Sequence, residues 1–186
     1  VELDVVFTAP MLIDDYDLLS TPINYISYQV RPTDGKSHNV QFYLGTSPLM
    51  AVNKAAQPTV SSTVEHDGVK YVRTGTIEQP ILAKKGDAIC IDWGYLYLPA
   101  INGDVTLGTE NDVKAAFIGT GKLPASAKSI VCRKASQMPT LAYAHDFGTL
   151  SSAKSSFALI GYDEIEDIEY MYNRYKGYWA HGGSVT

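Results

Sequence analysis

His145 and Asp146, adjacent in AYAHDFG, form a His–carboxylate doublet near the end of an expected strand. Such a doublet could serve as a general base with its orienting partner, or as a pair of metal ligands. Neighbouring strand residues point to opposite faces, however, which keeps their side chains from bonding each other. A structural role in satisfying a turn is therefore the first reading. Trp93, Tyr95 and Tyr97 in DWGYLYL alternate at spacing two, which puts three aromatic rings on one face of a strand. That face could stack on a sugar, fill a sandwich core or meet another domain, and aromatic residues do mostly the last two. Gly94 between them leaves room for a bulge or a close backbone approach. Asp14, Asp15 and Asp17 supply the hard oxygen ligands calcium prefers, but without the glycine and terminal glutamate of an EF-hand loop they read as a solvated connection.

The remaining chemistry-bearing residues fall outside known catalytic spacings. No serine lies in a G-x-S-x-G elbow, and Gly119-Thr-Gly121-Lys122 lacks the spacing of a phosphate-binding loop. Cys90 and Cys132 are too few for a disulfide framework or a zinc set and are expected as free, buried thiols. No self-sufficient catalytic set, metal or cofactor is expected.

The elements that would position these residues are mostly short strands. Asp34-Gly35 separates NYISYQVRPT from KSHNVQFYLGT, and Asp67-Gly68 separates STVEH from VKYVRTGTI. Both read as hairpin turns between alternating strands, the first most strongly. Gly86-Asp87 and Asn102-Gly103 introduce further strands, and SIVCRK, PTLAYAHDF and SSFALIGYD complete the set. Ser47 to Pro58 reads as a long connection, and Asn111 to Gly121 as a single helical turn or loop. Frequent turns between short strands predict a mainly β protein, an antiparallel β-sandwich of jelly-roll or supersandwich type, over residues 1–160.

Residues 161–186 read differently. Ile165, Ile168, Tyr172 and Tyr175 are spaced three, four and three apart, acids crowd the beginning of the segment, and Arg174 and Lys176 come near its end. This pattern predicts a C-terminal α-helix stopped by Gly177. An amphipathic helix at the end of a strand-rich chain suggests a domain cut from a longer polypeptide. The 186 residues carry a net charge of -5 with no basic cluster, which argues against a nucleic-acid surface. No apolar run is long enough to span a bilayer as a helix. The chain opens inside the strand pattern VELDVVF rather than in a charged leader, and N-x-Ser/Thr sites are missing, which favours a bacterial or cytosolic source.

FTAP, DLLSTPINYISYQV, TDGKSHNVQFYL, IDWGYLYL, KAAFIGTGKL, AYAHDFG and GYDEIEDIEYMY occur in this order. Together they resemble the middle region of the glutaminase A-type proteins of fungi and gut Bacteroides. TDGKSHNVQFY and AHDFG followed by GYDEI are the specific parts of the likeness. The resemblance implies a β-sandwich domain followed by a large helical-toroid domain, in an extracytoplasmic amidohydrolase that converts glutamine to glutamate. It assigns no catalytic residue to these positions. A sandwich followed by a helical toroid also serves glycoside-processing enzymes, so a carbohydrate-binding accessory role for Trp93, Tyr95 and Tyr97 stays open, as does a stand-alone hydrolase built on His145 and Asp146.

On the first reading the chain is a non-catalytic domain that shapes the cleft of a helical partner in the same polypeptide. Ile165, Ile168, Tyr172, Tyr175 and Trp179 would then face that partner. Uncovered, such a face docks back on the sandwich, stays exposed, or pairs with a second copy to give a homodimer.

Overall fold

The computed structural model describes residues 1–133 and 137–180. The chain forms two antiparallel sheets packed face to face, as expected for a sandwich. The larger sheet has seven strands in the order β1 (Glu2–Thr8), β2 (Ile23–Arg31), β10 (Lys154–Asp163), β6 (Tyr95–Pro99), β5 (Val69–Thr76), β4 (Thr59–His66) and β8 (Ser129–Cys132). The smaller has three: β3 (His38–Thr46), β9 (Pro139–Leu150) and β7 (Asp104–Thr109). A separate two-stranded ribbon pairs β11 (Ile168–Tyr170) with β12 (Asn173–Tyr175). Among the described residues two α-helices, α1 (Tyr16–Ser20) and α2 (Glu110–Thr120), lie between strands.

The core follows from strand alternation. Ile26, Tyr28 and Val30 of β2, Val72 of β5, Leu98 of β6 and Ala158 of β10 point inward from the larger sheet. Phe42 of β3, Val105 and Leu107 of β7, and Leu141, Tyr143, Phe147 and Leu150 of β9 meet them from the smaller. Tyr28 stacks on Phe42 with ring centroids 3.8 Å apart, and its hydroxyl lies 3.0 Å from that of Tyr143. The Tyr143 hydroxyl donates to the Ile101 carbonyl at 3.1 Å. Burial therefore pushes the Tyr143 phenol far above its ordinary range, with the Tyr28 hydroxyl adding to the effect. The two tyrosines seam the layers with apolar area and satisfied hydroxyls together.

The layers are unequal. β1 pairs with β2 along its whole length, and Leu3, Val5 and Phe7 lie opposite Val30, Tyr28 and Ile26. They thus point toward the core side, yet Leu3 is 50 %, Val5 39 % and Phe7 74 % exposed. A three-stranded sheet does not reach across a seven-stranded one.

Asp67-Gly68 forms the expected two-residue hairpin, with φ of 48° and 75° and His66 paired to Val69. The Asp34-Gly35 expectation fails. β2 and β3 belong to different sheets, and the turn carries the chain across the sandwich. Pro32, which has no N–H, follows the end of β2, and the Asp34 carboxylate accepts from Lys36 N at 3.0 Å, closing an Asx turn. Both flanking strands have an inward apolar face, and stacking Tyr28 on Phe42 across the core buries both faces at once. Asn102-Gly103 likewise turns into β7 on the opposite sheet, whereas the residues from Asp87 to Gly94, read as strand, are irregular before β6.

Asn111–Gly121 holds a three-turn helix rather than one turn. Thr109 caps α2, Glu110 and Asp112 occupy its first turn, and Gly121 ends it in the left-handed region at φ 71°. The expected C-terminal helix is not formed. Ile165, Met171 and Tyr172 have φ of 66°, 47° and 66°, values no α-helix accommodates. Two successive positive values at Met171 and Tyr172 make the turn between β11 and β12. The charge order read as dipole matching is a cross-strand arrangement instead. Glu169 lies opposite Arg174, whose Nε is 3.2 Å from the Glu169 carboxylate, while its Nη1 reaches Glu166 at 3.3 Å.

Candidate functional site

The aromatic triplet is divided. Trp93 precedes β6 and is buried; its Nε1 donates to the Glu166 carbonyl at 3.0 Å, and the Tyr162 hydroxyl donates to the Trp93 carbonyl at 2.8 Å. Gly94 makes this possible. Its φ of +79° suits glycine, and a Cβ there would collide with the backbone of Asp163 and Glu164. Trp93 thus fastens the stretch after β10 to the start of β6 instead of sharing a face with the tyrosines.

Tyr95 and Tyr97 alternate with the buried Leu96 and Leu98 and lie on the outer face of the larger sheet. The Arg73 guanidinium sits 4.5 Å from the centroid of the Tyr95 ring, and its Nη1 donates to the Tyr97 hydroxyl at 3.3 Å. Its Nε reaches Ser62 Oγ at 3.3 Å. Tyr71 meets Tyr97 edge-on at 89°, and Tyr95 meets it at 67°. Burial raises the Tyr97 phenol above its usual range, against the opposing pull of Arg73. Mutually tilted, half-buried rings holding a cation make a packed surface ladder rather than a flat platform for a sugar.

His145 and Asp146 diverge, as alternation requires. The His145 ring packs against Phe147 at 4.4 Å and Tyr28 at 6.0 Å, and its Nδ1–H donates to the Asn102 carbonyl. Asp146 is exposed and accepts from the Gly148 backbone N–H at 2.9 Å and from Gln41 Nε2 at 3.0 Å. Those two bonds, the backbone one foremost, hold its carboxyl below the ordinary range. The register slips here: Val40 pairs with Gly148 and Gln41 with Asp146, which leaves Phe147 as the extra residue of a bulge turned into the core. The doublet serves that bulge, with one residue fixed to each side.

Asp15 is the N-cap of α1, its carboxylate accepting from Leu18 N at 3.0 Å. Among the described residues no three His, Cys, Asp or Glu side chains converge as a metal site requires. Cys132 is buried as expected, but Cys90 is exposed, because the segment expected to bury it does not enter the sheet. A shallow groove of about 530 Å³ crosses β1, β2 and β10, where Asp4, Ser27, Gln29 and Ser155 line it together with Val6 and Phe157.

The expected interface residues emerge on different local structure. Ile168 of β11 lies opposite Tyr175 of β12, and both are exposed; Tyr172, at the turn, is 98 % exposed. Ile165 and Trp179 are half-buried, flanking a 40 Å³ recess with Asp163, Asp167, Lys176 and Gly177. Burial, then the neighbouring Asp167 and Asp163, pushes the Glu164 carboxyl up; burial and Asp163 do the same to Asp167. Tyr170 and Met171, outside the expected interface, are exposed beside them, and Met11, Leu12, Ile13 and Tyr16 form a second exposed set that the residue pattern did not assign. Tyr16 meets Tyr178 edge-on at 6.3 Å, so the two sets adjoin where α1 packs on the Tyr178–Ala180 turn. The apolar run PMLI, set in a loop beside three aspartates, was a visible signal for it.

The model of the family described as "Domain of unknown function (DUF5127)" matches residues 1–185. "Glutaminase A" of Aspergillus oryzae (strain ATCC 42149 / RIB 40) is 26% identical over 174 residues, an alignment covering 91% of this chain and 25% of that protein. The chain spans about a quarter of the length of this relative.

Proposed function

The chain belongs to the DUF5127 family, and from that premise we propose that it is the non-catalytic β-sandwich domain of a glutaminase-related, extracytoplasmic hydrolase. Its work on this reading is to pack against the remainder of the polypeptide, a helical domain following the sandwich, and to form one wall of that partner's cleft. The observation that carries the reading is the C-terminal ribbon. Ile168, Tyr170, Met171, Tyr172 and Tyr175 are exposed on an element anchored firmly at its base by Trp93 and Tyr162. A rigid root with an apolar, exposed tip is the form of a docking element, since exposed apolar groups gain most from being covered by a partner.

The weak likeness to a protein named glutaminase supports the substrate class, and the short share of that protein's length supports the division of labour. The test compares ammonia release from glutamine by this chain and by the full-length gene product. The reading expects activity in the latter alone. Turnover by the 186-residue chain at a comparable rate would refute it.

The carbohydrate-binding alternative rests on Tyr95 and Tyr97, because Trp93 is engaged elsewhere. Calorimetric titration with oligosaccharides, repeated on Tyr97→Ala, separates it from the docking reading.

A further inference from the structure

The two edges of the larger sheet are built differently. β8, at one edge, has four residues flanked by Lys128 and Arg133, a short strand with positive charge at both ends. Short length and flanking cations are standard protection against strand addition. β1, at the other edge, runs for seven residues in unbroken register with β2 and contains no Lys, Arg or Pro. Among the described residues its second side carries no strand, and Leu3, Val5 and Phe7 have no opposing layer. An unpaired row of backbone groups beside an uncovered apolar face invites another strand.

We infer that β1 pairs antiparallel with β1 of a second copy of this chain, about a two-fold axis through Val5. The sequence ELDVVFT complements itself in that register. Leu3 meets Phe7 of the copy and Val5 meets Val5, which brings six apolar side chains together on the core side. On the outer side Glu2 meets Thr8 and Asp4 meets Val6, so no two carboxylates face each other. Like charges directly opposite would destabilise the pair, and this register avoids them. A symmetric, self-matching patch is what a two-fold interface requires. The C-terminal ribbon takes no part in it.

Four variants test the inference by light scattering and cross-linking. The wild-type chain is expected to show a dimer mass at concentrations on the order of 10 µM or above. Val5→Lys, on the edge strand, is expected to raise the dimer dissociation constant at least about tenfold while leaving urea unfolding of the monomer cooperative. Tyr172→Ser should leave the dimer intact. In a Cys90→Ser background, Val5→Cys is expected to cross-link across the two-fold under mild oxidation, because directly opposed Cβ atoms lie about 4.5–5.5 Å apart. Val131→Cys, exposed on the opposite edge, should cross-link only at the rate of random collision. A monomer at all concentrations, equal cross-linking at both sites, or a dimer lost in Tyr172→Ser but kept in Val5→Lys would each overturn the inference. So would a monomeric full-length gene product with β1 amides protected from exchange, since a strand of the same polypeptide would then hold the edge.

Discussion

The centre of the sandwich and its two ends obey opposite rules. Between the sheets, Leu98, Val105, Leu141 and Tyr143 are fully enclosed, and the tyrosine hydroxyls that cross the layers find partners. At the ends, Phe7, Met11, Ile13, Tyr170 and Tyr172 are as apolar or aromatic and stand in solvent. Composition does not separate the two groups; coverage does. The centre is covered within these residues, whereas β1 and the ribbon leave apolar area exposed. Stability should therefore reside in the first region and association in the second.

The largest effect should come from cutting the centre. Leu98→Ala removes an enclosed side chain between the sheets and is expected to cost about 2–5 kcal/mol in urea unfolding. A cost below about 1 kcal/mol would mean that the centre is less closed than its geometry. Gly94→Ala tests the seam between the regions. A side chain at φ +79°, against the backbone of Asp163 and Glu164, should cost at least about 1 kcal/mol and release the Trp93 anchor. Its signature is a shift in tryptophan fluorescence and faster amide exchange in β11 and β12, with β9 unchanged.

Tyr172→Ser is expected to stay within about 0.5 kcal/mol of the parent chain, because an exposed turn residue has almost nothing to lose. If the proposed docking role holds, the same change in the full-length gene product should weaken packing of the ribbon, read as faster amide exchange over Ile168–Tyr175.

The smallest effect is in pH, and it runs in opposite directions in two places. Glu164 and Asp167 have carboxyls raised in the folded chain, so the fold binds more protons there than the unfolded chain does. Their segment is best held below the ordinary carboxylate pKa and loosens as pH rises through the folded values. Asp146 is lowered, so its grip on the Gly148 amide is present above the ordinary value and fades as pH falls. Acidification from about pH 7 to about pH 4 should raise amide protection factors around Asp163 to Asp167, and further acidification below the ordinary carboxylate value should lower that of Gly148. Parallel changes at both places would contradict this assignment.

Much of this contrast was legible in the residues. Alternation gave the strands, and Asp67-Gly68 specified its hairpin because both positions needed positive φ. Asp34-Gly35 carries the same local signal, but whether a turn joins neighbours in one sheet or crosses the core depends on where the inward faces of β2 and β3 find cover. That is a long-range matter, settled by the stacking of Tyr28 on Phe42. The C-terminal segment misled for a related reason. Acids followed by a base suit a helix dipole, and they equally suit a hairpin that puts Glu169 across from Arg174. The capping residues Thr109 and Gly121 around α2 were present and under-read. Of the residues singled out for chemistry, His145 and Asp146 read first as satisfying a turn, and the bulge at which they lie is set by the pairing of β9 with β3, which alternation alone does not reveal. Trp93 was misplaced because its partner, the Glu166 carbonyl, is 73 positions away.

The most direct measurement is amide hydrogen exchange over Ile168–Tyr175 in this chain and in the full-length gene product. If the ribbon is the docking element, its amides exchange rapidly in the 186-residue chain and become strongly protected in the longer protein, while β9 is equally protected in both. Equal, rapid exchange of the ribbon in both proteins would contradict the docking role.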